Sequence, residues 1–122
     1  DINYTVAGHP SPLLIKDRQS GWMEHTGPLV GIIESAEYLD NKMVLGAGDI
    51  FFLYTDGITE AGSPGFPNDG EMFGMKRIED ILTENQDYSS TDILHFIISA
   101  VYEFTDYQDQ KDDITAICIK RR

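Results

Sequence analysis

Long apolar runs are missing from this sequence: its most apolar stretches, Ile50–Tyr54 and Ile97–Val101, are far too short to cross a bilayer. The first residues, Asp1-Ile2-Asn3, lack the basic-then-apolar order of a secretory leader. No starting Met is present either, and the chain is therefore expected to be part of something longer. Positive charge is scarce, with 9 Lys and Arg against 21 Asp and Glu, a formal net charge of −12. Such a surface repels a phosphate backbone, so no nucleic-acid partner is expected. A single cysteine, Cys118, excludes an internal disulfide; in its apolar alternating run it reads as a buried thiol in a reducing, cytoplasmic setting. No glycine-rich phosphate loop ending in lysine occurs, which argues against P-loop nucleotide hydrolysis.

What is present fits one domain of 122 residues, 41% hydrophobic, without internal repeat or linker. The first third reads as β. Strands are expected at Asn3–Ala7, Leu13–Lys16 and Trp22–His25, with a turn at Asp17–Gly21. Thr26–Gly31 reads as a loop and Glu37–Leu45 alternates loosely. After the turn Gly46–Asp49, Ile50–Tyr54 is apolar at every position, as in a strand covered on both faces. The second half changes period. Gly62–Asp69 is rich in turn residues and reads as a surface loop. Met75, Ile78, Ile81 and Leu82 have helical spacing, and a longer helix follows with Ser89 or Ser90 as its N-cap. Its buried stripe is Ile93, Leu94, Ile97, Ile98, Val101 and Phe104, and Ile114–Ile119 is a final strand. The expected class is α+β, a mainly antiparallel sheet with helices packed on it.

Two acidic features border the most apolar strands. Asp56-Gly57 follows the end of Ile50–Tyr54, and Asp112-Asp113 precedes Ile114–Ile119. If these strands are antiparallel neighbours, Asp56 and Asp112 meet at one edge of the sheet. Two carboxylates so placed repel unless one takes up a proton or a cation lies between them, and oxygen donors of this kind suit Mg²⁺ or Mn²⁺. Gly57 would let the backbone turn sharply beside such an ion. Each feature alone also has a plainer interpretation: Asp-Gly at a strand end is a common turn, and a double Asp before a strand is a common solvated cap.

Four segments, spanning nearly the whole chain, carry a resemblance. Ala7-Gly8-His9-Pro10-Ser11-Pro12-Leu13-Leu14 comes first, then Gly48 to Ala61 with Tyr54-Thr55-Asp56-Gly57 at its centre. Gly70-Glu71-Met72-Phe73-Gly74 and Asp112-Asp113-Ile114-Thr115 follow in that order. The series resembles the PPM-type (type 2C) metal-dependent serine/threonine phosphatases, in the bacterial branch of SpoIIE and the RsbU-like regulators. It implies a partial α-β-β-α sandwich, with residues 1–122 as the C-terminal part of one such domain. It also implies a two-metal Mn²⁺ or Mg²⁺ centre, whose activated water hydrolyses phosphoserine or phosphothreonine without a phosphoenzyme. By that pattern Asp56 and Asp112 are metal ligands at the catalytic centre, Gly57 adjoins it, and Asp113 orients the shell. Glu60 is a lesser candidate for a labile metal. Early acidic ligands of the pattern have no match here, so the ligand set is expected to be incomplete and the fragment weak or inactive alone.

The same resemblance implies a phosphorylated protein substrate of the anti-sigma-factor-antagonist type, a role in sigma-factor or stress signalling, and an upstream sensor or receiver domain. Open strand edges left by the absent half would favour a homodimer. The alternative is a catalytically silent module that sequesters a regulatory partner. His9, His25, His95 and Trp22 read as structural or exposed residues, and Ser11 lacks the context of a nucleophilic serine.

Overall fold

A computed structural model describes residues 1–122. Six strands and three helices follow in the order β1 (Ile2–Tyr4), β2 (Leu13–Lys16), β3 (Gln19–Trp22), β4 (Asn41–Met43), β5 (Ile50–Tyr54), α1 (Asp56–Thr59), α2 (Gly74–Glu84), α3 (Ser90–Phe104) and β6 (Ala116–Lys120). Every pair of neighbouring strands is antiparallel. The order β3-β2-β5-β6 makes one sheet, and β1 with β4 makes a separate ribbon. This is the expected α+β arrangement of antiparallel sheets with helices packed on them.

β5 runs through the middle of the larger sheet, and its period-2 alternation serves two cores. Ile50, Phe52 and Tyr54 face α2 and α3 together with Leu13 and Ile15 of β2. From the helices, Ile78, Leu82, Ile93, Ile97 and Val101 meet them, each at most 2% exposed. Phe51 points the other way into a smaller cluster with Met23 and Leu45, which the β1–β4 ribbon borders through Ile2, Tyr4 and Met43. The uninterrupted apolar run of β5 therefore has the predicted cause, burial on both faces.

Several boundaries depart from expectation. The β2–β3 connection is a two-residue turn at Asp17-Arg18, both with positive φ (49° and 65°), so β3 begins at Gln19. Gly21 belongs to that strand rather than to the turn, and Trp22 ends it instead of starting a strand to His25. Paired positive φ values match the right-handed twist of the flanking strands, a preference that the residue types here do not advertise. Trp22 packs edge-on against Tyr54 at 6.1 Å, a packing residue at the sheet edge as expected. β6 starts two residues later than predicted, and its outward Ile117 and Ile119 are 51% and 42% exposed. Apolar composition cannot distinguish an edge strand from a covered one. Ser89 caps α3, accepting a hydrogen bond from the Asp92 amide at 3.1 Å.

One buried carboxylate holds the turn before β5. Asp49, only 4% exposed, accepts hydrogen bonds from the backbone amides of Gly46 (2.7 Å) and Asp17 (3.1 Å). It thus fastens the β4–β5 turn to the β2–β3 turn. At the same end of the sheet, on its helix-facing side, the Lys120 ammonium donates to the carbonyls of Gln86 (2.6 Å) and Tyr88 (2.7 Å). Neighbouring Cys118 is half-buried, and desolvation pushes its thiol up to about 11 although Lys120 pulls the other way.

Asp49→Ala removes the acceptor of two partly buried turn amides and is expected to lower stability by about 1–2 kcal/mol in urea unfolding. A change below the error of that measurement would contradict the role of this carboxylate. Cys118 is expected to stay a thiol at pH 8 and to resist iodoacetamide there, with alkylation accelerating only as pH approaches 11.

Candidate metal centre

The register of β5 with β6 runs from Ile50↔Lys120 to Tyr54↔Ala116. The end of one strand therefore lies beside the start of the other, and residues 55–57 run alongside residues 112–115. Thr55 is the clasp. Its backbone amide donates to the Thr115 carbonyl at 2.9 Å, and its hydroxyl accepts from the Thr115 amide at 3.0 Å. The same hydroxyl donates to the Asp113 carbonyl at 3.3 Å. Thr55 occupies the N-cap position of α1 yet makes no side-chain cap, because its hydroxyl is committed to the other segment. Sequence reasoning passed over Thr55. A threonine ahead of an Asp-Gly looks like an ordinary cap, and only the pairing partner reveals a different use.

Asp56 opens the single turn α1 instead of a β-turn, with Glu60 donating its amide to the Asp56 carbonyl at 2.8 Å. Its side chain is exposed, as are those of Glu60, Asp112 and Asp113. Gly57 is buried, and the reason for glycine differs from the expected one. Its φ is not in the left-handed region; what it supplies is space. A Cβ at this position would lie 2.2 Å from the Asp113 carbonyl oxygen and 3.5 Å from that of Asp112. The two segments approach backbone to backbone, and only hydrogen fits between them.

On the opposing segment, the Asp112 carboxylate accepts the Asp113 amide at 2.8 Å, while the Gln110 side-chain amide donates to the Asp112 carbonyl. Asp113 contributes its carbonyl to the clasp described above. His9 Nδ1 donates locally to the Pro10 carbonyl (2.6 Å), and His95 is exposed on α3. Ser11 comes within 3.4 Å of exposed His25, at the limit of a hydrogen bond.

Carboxylate and carbonyl oxygens at Asp56, Gly57, Asp112 and Asp113 are the donor type that hard divalent cations take. In kind they fit Mg²⁺ or Mn²⁺. In number they do not close a site, because no three His, Cys, Asp or Glu side chains of this chain lie together in a way that could hold an ion.

Gly57→Ala is expected to cost about 1–3 kcal/mol of stability through overpacking. It should also speed hydrogen exchange at the Thr115 amide, which the Thr55 hydroxyl protects. Unchanged stability together with unchanged exchange would argue against the close approach.

The family model described as stage II sporulation protein E (SpoIIE) matches residues 1–122. Protein IcfG of Synechocystis sp. is 32% identical over 122 residues, an alignment covering 99% of this chain and 18% of IcfG. The SiaA-PP2C domain of Pseudomonas aeruginosa superposes with a TM-score of 0.74 at 21% identity, covering 95% of this chain and 45% of that one. A structure of RsbU and RsbW domains from Mycobacterium tuberculosis gives 0.68 at 27% identity, covering 98% and 32%. The PP2C phosphatase domain of SpoIIE from Bacillus subtilis, solved with a fragment of its regulatory domain, gives 0.67 at 18% identity, covering 95% and 32%. This chain thus spans less than half of each of those structures and less than a fifth of IcfG. Its match over all residues, and the antiparallel sheets and packed helices it shares with the PP2C domains, place the chain in the SpoIIE family.

Proposed function

We propose that the longer protein containing this chain is a Mn²⁺- or Mg²⁺-dependent protein phosphatase acting on phosphoserine or phosphothreonine. Asp56 and Asp112 hold metal in this proposal, and ligands outside residues 1–122 complete the centre. The observation that carries it is the Thr55 clasp, which brings the Asp56-Gly57 turn against Asp112-Asp113 in a chain of the SpoIIE family. Divalent cations bound there would lower the pKa of a water and neutralise charge developing on phosphoryl oxygens.

The chain's own residues set up that chemistry. Thr55 locks the two segments in register, so the carboxylates they carry are presented from one edge of a rigid sheet. Gly57 removes the side chain that would force the segments apart. Asp113 is a positioning residue whose carbonyl anchors the clasp, and Glu60 stands one turn beyond Asp56, suited to a labile ion.

The remaining proposals extend the same family membership. The substrate is a phosphoprotein of the anti-sigma-factor-antagonist type, in keeping with RsbU and RsbW domains in a structural relative, and the protein acts in cytoplasmic signalling under a sensor or receiver domain. The chain contains no helix long and apolar enough to cross a membrane. A homodimer would cover the exposed Ile117 and Ile119 at the β6 edge. A second reading, a silent module that binds a regulatory partner, is favoured by the small number of acidic donors gathered in this chain.

In the full-length protein, Asp56→Asn or Asp112→Asn is expected to reduce Mn²⁺-dependent phosphate release by at least about 100-fold, the upper range for disturbing groups that merely support a metal ligand. EDTA should abolish release by the wild type, and Mn²⁺ should restore it. Wild-type rates in either variant would remove the ligand assignment; full-length protein that binds a phosphoprotein but releases no phosphate would favour the silent module.

A further inference from the structure

Directly beside the Asp56-Gly57 turn lies a cavity of about 360 Å³, and Gly57 and Asp112 both line it. Its apolar lining comes from Ala61, Phe66, Met72, Val101 and Ile114. Charged side chains also line it, among them Glu60, Asp109 and Lys111. One wall is the loop Gly62–Asp69, which belongs to no helix or strand.

That loop is built to present Phe66. A Cβ at Gly62 would lie 2.7 Å from the Phe66 ring, and one at Gly70 would lie 2.5 Å from the Phe66 amide nitrogen. Both glycines therefore make room for the loop to fold back with the aromatic ring inward. The base of the loop is pinned from outside the cavity. Phe73 donates its amide to the Ala61 carbonyl at 2.8 Å, and Arg77 donates to the carbonyls of Phe73 (2.8 Å) and Met72 (3.2 Å) while stacking on Phe104 at 4.5 Å. The cavity is a formed feature held by the same elements that position the turn.

We propose that this cavity is a substrate-specificity pocket that takes one large aliphatic or aromatic side chain flanking the phosphorylated residue of a protein substrate. The proposal rests on the phosphatase function above. Its volume accommodates one such side chain, and its walls offer that side chain apolar contact. The acidic lining residues Glu60, Asp109 and Asp112 disfavour an acidic side chain there. Continuity with the turn means that a segment whose phosphate lies at Asp56 and Asp112 carries a neighbouring residue past Phe66.

The test uses the full-length protein with Mn²⁺, p-nitrophenyl phosphate, and phosphoserine peptides bearing Leu or Ala at each of the positions flanking the phosphoserine. At one position kcat/KM for the Leu peptide should exceed that for the Ala peptide by about tenfold or more. In Phe66→Ala, and independently in Met72→Glu at a half-exposed wall residue, that ratio should collapse toward one. If one variant is inactive on every substrate, the ratio in the other decides. Equal turnover of Leu and Ala peptides by wild type, with p-nitrophenyl phosphate still hydrolysed, would overturn the pocket and leave the phosphatase function standing. A ratio that survives in the variants would also overturn it. No turnover of any substrate would overturn both proposals.

Discussion

Five consecutive cross-strand pairs between β5 and β6 carry the organisation of this molecule. Antiparallel pairing joins the end of one strand to the start of the other, and here it closes a sequence separation of about sixty residues. Everything at the candidate centre hangs on that register. A slip by one residue would turn Phe52 and Tyr54 away from the helices and carry Thr55 out of reach of Thr115. The register is defended from both faces of β5, since Ile50, Phe52 and Tyr54 fill the helix-side core while Phe51 fills the smaller one.

Burial is uneven across the sheet. The residues of β2 and β5 facing α2 and α3 are essentially inaccessible, whereas Ile117 and Ile119 on the opposite face of β6 stay about half exposed. The densest burial is where α2 and α3 meet β2 and β5, and the turn at Asp56-Gly57 is attached to that side. Ile58, fully buried in α1, ties the turn into the same core. The exposed Asp56 side chain thus stands on a turn anchored in the main core, the kind of support a precisely held site needs.

Polar groups do the fastening that apolar packing cannot. Asp49 secures two turns through amides, Thr55 joins two segments through a hydroxyl, and Arg77 braces the loop base through carbonyls. Each satisfies backbone groups that a turn leaves without partners in a ladder. The acidity of the chain, net −12, extends to the cavity lining, where Lys111 is a local exception whose ammonium lies 5.9 Å from the Phe66 ring.

Periodicity and composition alone determined the α+β class, the two long helices and the two-faced burial of β5, and narrowed the α3 cap to Ser89 or Ser90. Those features depend on local spacing, which a sequence carries directly. The motifs also marked Asp56, Gly57, Asp112 and Asp113 as the residues to watch. Only tertiary structure decided why Gly57 must be glycine, because the obstacle is a carbonyl 56 residues away in the chain, at Asp113, and not its own φ. Thr55 as a clasp, Asp49 as a buried anchor and the inward turn of Phe66 were illegible for the same reason. A hydroxyl, a carboxylate and a loop phenylalanine each have a common local use, and the partner that gives them another comes from a distant segment brought near by folding.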